Sequence, residues 1–379
     1  MRRVAEPSPA LRSSLRRRLL AWWDAGHRDL PWRYPQHAAD PYRVWLAEVM
    51  LQQTRVEAVI PYYRRFVARW PTLPALAAAG DAEVLAAWSG LGYYARCRHL
   101  LSAARAAQER HGGLPASVEA LRALPGFGPY TAGAVASIAF AIPAAAVDGN
   151  VARVLARLFL LAGGPGTPKV KRRLEALAGW LVDPVRPGDF NQALMDLGAT
   201  TCLPRRPRCP SCPLAGSCAA RRAGREADPP RWTARRRPRP VQVAVLRLER
   251  GGRLLLSRSP DGGLLGGMWG LPGVEVPTGA DPARVLERWG REELGAGLEV
   301  REELATVVRV LTHRRLEFRI FRGRLPRGRS LDSGHLRFTT EDEASSLPRS
   351  TAMHRVMEAS GGWGSAPSSP RDAKNLTGE

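Results

Sequence analysis

Four of the five cysteines in this 379-residue chain fall in one window, Cys202, Cys209, Cys212 and Cys218, spaced C-x6-C-x2-C-x5-C. Thiolates gathered this closely need a cation to offset their charge, so the pattern points to zinc or to an iron–sulfur cluster. A disulfide framework is disfavoured, because the chain shows no secretory signal. Zinc ligands usually pair in two knuckles, whereas here only Cys209 and Cys212 stand two residues apart. A loop stiffened by Pro204, Pro207, Pro210 and Pro213 suits a [4Fe–4S] cubane, with zinc as the alternative. Cys97, alone in a helical stretch, is expected to be a buried small hydrophobe.

Two carboxylates stand out by their surroundings. Glu48 lies in Val44-Trp45-Leu46-Ala47-Glu48-Val49-Met50-Leu51, and Asp148 follows Ala144-Ala145-Ala146-Val147. Apolar surroundings destabilise a carboxylate, and the raised pKa lets the acid donate a proton near neutrality. The plainer readings are a solvent-facing charge for Glu48 and a helix N-cap for Asp148. Between them, Leu124-Pro-Gly-Phe-Gly-Pro-Tyr130 joins two helical stretches. Gly126 and Gly128 permit a tight turn with positive φ and leave backbone N–H groups uncovered where Pro129 opens a helix, a natural anion site. An ordinary helix connection is the alternative.

The elements that must position these residues follow from periodicity. Residues 11 to about 222 read as Ala- and Leu-rich helices broken by Pro and Gly. Leu11, Leu15, Leu19 and Trp22 or Trp23 recur at helical spacing, the pattern of an amphipathic helix that docks on the later part of the chain. Residues 223–240, rich in Arg and Pro, are expected to be a linker. The period then shifts toward two at Val241–Leu248, Leu254–Leu256 and Leu316–Phe321, with a helix expected from Pro282 to Leu294. The domains expected are a helical one over 1–222 that includes the 202–218 cysteine loop, an α+β one over 241–359, and a disordered tail over 360–379.

Charge separates the two halves. Lys plus Arg number 57 against 35 acidic residues, a formal +22, and residues 1–240 hold 36 basic against 17 acidic residues while 241–379 hold 21 against 18. A cationic first part facing a polyanion, above all nucleic acid, is the leading reading. Arginine-rich codon usage contributes, since only Lys169, Lys171 and Lys374 are lysines. No stretch approaches the roughly 18 apolar residues of a membrane span. A cytoplasmic protein is the simplest expectation.

Taken together, the 124–130 hairpin, Val147-Asp-Gly-Asn150 and the cysteine loop resemble the helix-hairpin-helix DNA glycosylases that carry an iron–sulfur cluster. Glu48-Val-Met-Leu-Gln-Gln-Thr54, Gly90-Leu-Gly-Tyr-Tyr-Ala-Arg96 and Phe190-Asn-Gln-Ala-Leu-Met-Asp-Leu-Gly198 are similar to the MutY family of adenine DNA glycosylases. The resemblance implies a multidomain fold: an all-α helix-hairpin-helix glycosylase domain with a [4Fe–4S] cluster loop, followed by an α+β Nudix-like domain. It implies removal of adenine mispaired with 8-oxoguanine or guanine, by a monomer acting on duplex DNA away from membranes, nucleoid-associated in a bacterium.

By the same resemblance Glu48 protonates adenine at N7, Asp148 stabilises the cationic sugar or bonds to it transiently, and Tyr130 and Asn150 order Asp148 and the sugar. The adenine must leave the stack. Gln52, Gln53 and Tyr93 match the family's wedge, although a core aromatic is the plain reading of Tyr93. Gly126 and Gly128 would present amides to phosphate, and Arg205, Arg206 and Arg208 would let the cysteine loop support DNA contact. The sister endonuclease III enzymes carry a lysine nucleophile just after the hairpin. Tyr130 stands there, so a strand-cleaving lyase loses its amine.

Leu264-Leu-Gly-Gly-Met-Trp-Gly-Leu-Pro-Gly273 resembles the Nudix-like domain that senses 8-oxoguanine. The Nudix box aligns at Arg288, Glu292, Glu293 and Gly295 but fails at Val274, Ala280 and Trp289, which argues against a competent Mg²⁺ pyrophosphohydrolase site. Leu311-Thr312-His313 stands where the family has Phe-Ser-His. The aromatic is lost, while Thr312 keeps a hydroxyl for the lesion beside His313. The rivals are a bifunctional endonuclease III-like pyrimidine-lesion glycosylase/lyase, a non-catalytic iron–sulfur DNA-binding protein, and a Nudix hydrolase with a DNA-binding extension.

Overall fold

A computed structural model describes residues 8–164, 166–228, 238–260, 265–295, 297–311, 314–325 and 334–363. The helices run α1 Pro9–Ala25, α2 Pro35–Ala38, α3 Pro41–Leu51, α4 Val56–Arg69, α5 Leu73–Ala78, α6 Asp81–Trp88 and α7 Tyr94–His111. After them come α8 Val118–Arg122, α9 Pro129–Phe140, α10 Gly149–Leu158, α11 Pro168–Leu181, α12 Pro187–Thr200 and α13 Ala219–Arg222. No described helix is long and apolar enough to cross a membrane.

Contacts divide the chain into two compact units, and the division does not follow chain order. Met1–Ala79 and His99–Ala234 form the first, while Gly80–Arg98 joins Arg235–Glu379 in the second. In the first unit α1 buries Leu15, Leu19 and Trp23 against Leu155, Leu158, Phe190 and Leu194 of α10 and α12. Its apolar stripe is therefore a packing face. Helix starts are marked as the sequence suggests. Asp40 caps α3 by accepting from the Tyr42 and Arg43 amides, and Pro follows at the first helical position.

The hairpin between α8 and α9 uses its two glycines differently. Gly126 takes φ +73°, and a Cβ there would lie 2.7 Å from His99 Cβ. Gly128 has φ −79° and open space where a Cβ would sit, so only Gly126 needs the positive φ expected of both. Phe127 is buried and stacks on Trp45 of α3 at 5.3 Å between ring centroids, which ties the hairpin to the helix carrying Glu48.

The second unit is built on β1 Arg239–Arg247, β2 Glu249–Arg250, β3 Arg253–Arg258, β4 Trp269–Gly270, β5 Gly273–Glu275, β6 Glu299–Leu311, β7 Arg314–Arg324 and β8 Leu336–Thr339. The sheet β5-β1-β7-β6 is mixed, β1 running parallel to β7 with Val245 opposite Ile320. In the sheet β2-β3-β4, β8 also pairs with β3. Strand β1 is buried on both faces, as its near-continuous apolar run suggests. Val245 meets Val356 and Met357 of α16 Thr351–Ala359, whereas Leu246 meets Leu286 of α14 Pro282–Glu293. A short α15, Glu341–Ser345, completes the unit.

Two boundaries move. Strand β1 begins at Arg239, inside the expected linker. The expected tail is ordered at its start: Ser360 is fully buried and accepts from Arg247 Nη1, and Trp363 Nε1 donates to the Thr339 carbonyl. Residues 364–379 lie outside the described residues.

In α9, Gly133 has no room for a side chain, since a Cβ would come 2.1 Å from the Ala145 carbonyl oxygen. Gly133→Ala should therefore cost about 2 to 3 kcal/mol despite alanine's better helix propensity. Gly128→Ala should stay within about 1 kcal/mol of the parent. Urea unfolding of both variants checks the contrast, and equal midpoints would contradict the close approach.

Candidate active site and cysteine loop

Helix α3 is buried around nearly its whole circumference, from Val44 to Met50, and Glu48 sits among these residues at 6 % exposure. The solvent-facing alternative is thus not realised. Tyr130, second residue of α9, donates its Oη–H to Glu48 Oε2 at 2.5 Å and lies 3.7 Å from Met195 Sδ. The resemblance implies that Tyr130 orders Asp148 and the sugar; the hydrogen bond its hydroxyl donates runs to Glu48. Burial pushes the Glu48 carboxyl up to about 7; the Asp148 charge adds to the shift, while the Tyr130 bond and the Arg33 guanidinium oppose it. Burial also lifts the Tyr130 phenol well above its ordinary value, so Tyr130 remains a proton-bearing donor.

Asp148 caps a helix, the plainer of its two expected readings. As N-cap of α10 it accepts from the Val151 amide at 2.7 Å through Oδ1, and Oδ2 accepts from Asn150 Nδ2 at 3.0 Å. Burial raises its pKa, and these two donors work against that by stabilising the anion. The network continues along α10. Asn150 Oδ1 accepts from Arg153 Nη2 at 2.8 Å, and Arg153 Nε donates to the Cys202 carbonyl at 2.8 Å. One turn further on, Arg157 reaches Cys202 Sγ at 3.3 Å and donates to the Leu203 and Pro204 carbonyls. Two buried arginines thus join the Asp148 cap to the cysteine loop.

A second buried carboxylate, Asp196 of α12, behaves in the opposite way. Burial would raise its pKa, but bonds from Arg33 and Arg28 outweigh that and hold it below the ordinary carboxylate range. Arg33 also donates to Gln192 Oε1 at 2.9 Å and lies over the Trp23 ring. Arg28, Arg33, Arg153, Arg157 and Asp196 were missed from the sequence. The available signal was arginine four residues apart, at 153 and 157, within an apolar helix.

The four cysteines of the 202–218 loop are free thiols and line one cavity with apolar walls from Val154, Leu158, Leu197 and Leu214. Burial pushes the Cys212 thiol up to about 11 and raises that of Cys209, so a bound cation is needed to hold these two as thiolates at neutral pH. Among the described residues no three His, Cys, Asp or Glu side chains are placed around one common ion. Four thiol donors lining one cavity suit zinc or an iron–sulfur centre. Arg205, Arg206 and Arg208 are exposed on this loop.

The remaining expected site residues separate. Gln52, at the end of α3, donates to Thr131 Oγ1 at 3.2 Å, and Gln53 is exposed with φ +59°. Tyr93 belongs to the second unit; it is 43 % exposed with φ +51° and so is not a core aromatic. Glu292 and Glu293 end α14, where Glu293 faces His335 at 3.4 Å, and Trp289 packs on the core. Thr312 and His313 lie outside the described residues. Cys97 is buried as expected.

The HhH-GPD superfamily of base excision DNA repair proteins matches residues 46–179, and the NUDIX domain family matches 242–359. The chain is similar to the adenine DNA glycosylase of Rattus norvegicus, at 38% identity over 91% of this chain and 77% of the relative. The adenine DNA glycosylase of Homo sapiens is 37% identical over 91% of this chain and 73% of its own length. Among solved structures, a thermostable thymine-DNA glycosylase superposes with a TM-score of 0.50 at 29% identity, covering 56% of this chain and 98% of that one.

The Glu48 carboxyl holds its proton more tightly folded than unfolded. Its contribution to stability is therefore full at low pH and is lost as pH rises from the ordinary 4.5 through about 7. Glu48→Gln removes the group that must ionise in the core. The variant should be more stable than the parent at pH 8, by on the order of 1 to 3 kcal/mol, with the gain shrinking toward pH 5. Thermal melts at the two pH values check this, and a pH-independent difference would contradict the buried-acid assignment.

Proposed function

The chain belongs to the adenine DNA glycosylase family and is a base-excision repair enzyme, and from that premise we propose that it hydrolyses adenine mispaired with 8-oxoguanine or, less readily, guanine, leaving an abasic site. The observation that carries the mechanism is the buried Glu48 carboxyl, with a pKa of about 7 and a hydrogen bond from Tyr130. Adenine is a poor leaving group until a ring nitrogen is protonated. Glu48 in its acid form gives its proton to N7; the C1′–N9 bond then breaks with its electron pair leaving on adenine, and C1′ becomes oxocarbenium-like. Asp148, held as an anion by the Val151 amide and Asn150, stabilises that cation. Water adds at C1′ and gives up its proton, for which the Glu48 carboxylate is the available base.

Strand cleavage by an amine is not part of this chemistry, because α9 opens with Pro129-Tyr130 and carries no lysine. Duplex DNA is the substrate we infer for the exposed arginines and for the uncovered N-terminus of α9, where Gly126 and Gly128 leave backbone N–H groups open to phosphate. Gln52, Gln53 and Tyr93 would support the extruded state, and Thr312 and His313 would read the opposite base.

We infer further that Cys202, Cys209, Cys212 and Cys218 hold a [4Fe–4S] cluster. When bound, it would tie the loop together and offset the charge of four thiolates. Arg157 holds Cys202 and its neighbouring carbonyls in place for it.

Single-turnover release from duplexes that differ only in the base opposite adenine tests the substrate. Release should be fastest opposite 8-oxoguanine, slower opposite guanine, and fall as pH rises above about 7. Glu48→Gln should abolish it with little loss of DNA affinity. Equal rates opposite thymine and 8-oxoguanine would remove the lesion claim, and abundant lysine-dependent borohydride trapping would favour a lyase.

Iron and acid-labile sulfide analysis, with visible absorbance, tests the cofactor. The purified protein should contain both, and Cys209→Ser should lose the absorbance band together with thermal stability. Stoichiometric zinc in place of iron would overturn the assignment.

A further inference from the structure

The turn that carries Tyr93 is held from more than two hundred residues away along the chain. Segment Gly80–Arg98 packs in one compact unit with Arg235–Glu379. Between α6 and α7 the backbone takes positive φ at Gly90 (99°), Gly92 (75°) and Tyr93 (51°). Glycine adopts such angles freely, but for tyrosine they are strained. A strained residue that is also a large exposed aromatic persists only where its surroundings hold it.

Those surroundings include residues of the C-terminal segment. The Arg349 amide donates to Ser89 Oγ at 3.1 Å, and the Arg349 carbonyl accepts from Tyr94 Oη at 3.4 Å. Tyr94 Oη in turn accepts from the Gly90 amide at 3.4 Å. Both backbone polar groups of one residue therefore close on the two ends of the turn. Within the turn, Trp88 Nε1 donates to the Gly92 carbonyl at 3.0 Å, and the Arg96 guanidinium lies over both the Trp88 and Tyr93 rings. In the second turn of α7, Arg98 Nη1 donates to the Gly266 carbonyl at 3.0 Å.

Arg349 is itself fixed on either side. The Pro348 carbonyl accepts from the Trp269 amide at 2.8 Å, and Ser350 is the N-cap of α16.

We propose that Arg349 and Gly266 set the conformation of the Tyr93 turn, which makes Ser89, Tyr94 and Arg98 positioning residues for the entry of Tyr93 into the duplex. The proposal rests on the reading of Tyr93 as an intercalating residue. It assigns the C-terminal segment a second task besides inspecting a base: holding the side chain that supports base extrusion. Any shift of the 266 or 349 backbone on meeting the opposite base would be transmitted to Tyr93 through three side chains.

The test uses the full chain with Ser89→Ala, Tyr94→Phe, Tyr93→Ala and the Tyr93→Ala/Tyr94→Phe double variant. Single-turnover adenine release is measured for each, and melting temperature is recorded so that loss of fold is separated from loss of positioning. In a Glu48→Gln background, 2-aminopurine beside the mispair reports unstacking. Tyr93→Ala, Ser89→Ala and Tyr94→Phe should each slow release by about tenfold and diminish the fluorescence rise. Tyr94→Phe should add nothing once Tyr93 is Ala. If Tyr93→Ala is slow while Ser89→Ala and Tyr94→Phe react at the parental rate, the holding role is wrong. Losses that add in the double variant also overturn it. Parental release and fluorescence from Tyr93→Ala would instead overturn the intercalation reading on which the proposal stands.

Discussion

The close approach of three helices around one extended segment is the constraint on which the first unit depends. Residues 141–147 must pass between α9 and α12 and then open α10 at Asp148, and three glycines make room for this by lacking a side chain. A Cβ on Gly133 would meet the Ala145 carbonyl, one on Gly188 would lie 2.8 Å from Ile138 Cα, and one on Gly198 would lie 2.6 Å from Asn150 Cβ. Asn191 completes the arrangement, donating to the Ala144 carbonyl and to Ser137 Oγ while its own oxygen accepts from the Ala146 amide. A buried backbone segment outside a helix or sheet needs such partners for its polar groups. The start of α10 is therefore fixed against α9, and α9 is the helix from which Tyr130 reaches Glu48.

Within this frame two carboxylates of similar burial take opposite roles, and their partners decide which. Asp196 receives two guanidiniums and is held ionised, so it serves to fasten Arg28 and Arg33. Glu48 receives one phenol and a second acid's charge, and its proton is balanced near neutrality. An acid left without a cationic hydrogen-bond partner in an apolar helix costs stability. Such a cost is retained where proton transfer is the use of the site.

Much of this was legible in the sequence, for physical reasons. A single acid in an apolar helical run identifies Glu48, and the cysteine spacing identifies the loop, because both break a pattern that burial imposes. The cap reading of Asp148 does not compete with the acid reading, since capping α10 supplies the donors that stabilise the anion. Arg153 and Arg157 were not legible as parts of the site. Arginine is ordinarily read as surface, and most of their acceptors are carbonyls forty-five or more residues away. Nor could periodicity show that Gly80–Arg98 joins the later unit. Arg349 and Gly266 meet that segment through backbone atoms that residue type does not reveal.

The charge asymmetry also reads differently once the arginines are placed. Part of the basic excess of residues 1–240 never faces a ligand. Arg28 and Arg33 share the Asp196 carboxylate, and Arg16 covers the last carbonyls of α11, donating to Trp180 and Leu181 and also to Val182. Arg153 and Arg157 are buried, and the acceptors they reach are mostly carbonyls of the end of α12 and the start of the cysteine loop. In a low-dielectric interior such charge demands a nearby anion. Burial works against the Arg153 charge while Cys202 and Asp148 favour it, and that charge in turn lowers the cost of an ionised Asp148. What remains for a polyanion is the exposed set, including Arg205, Arg206 and Arg208, a smaller field than the count of residues suggests.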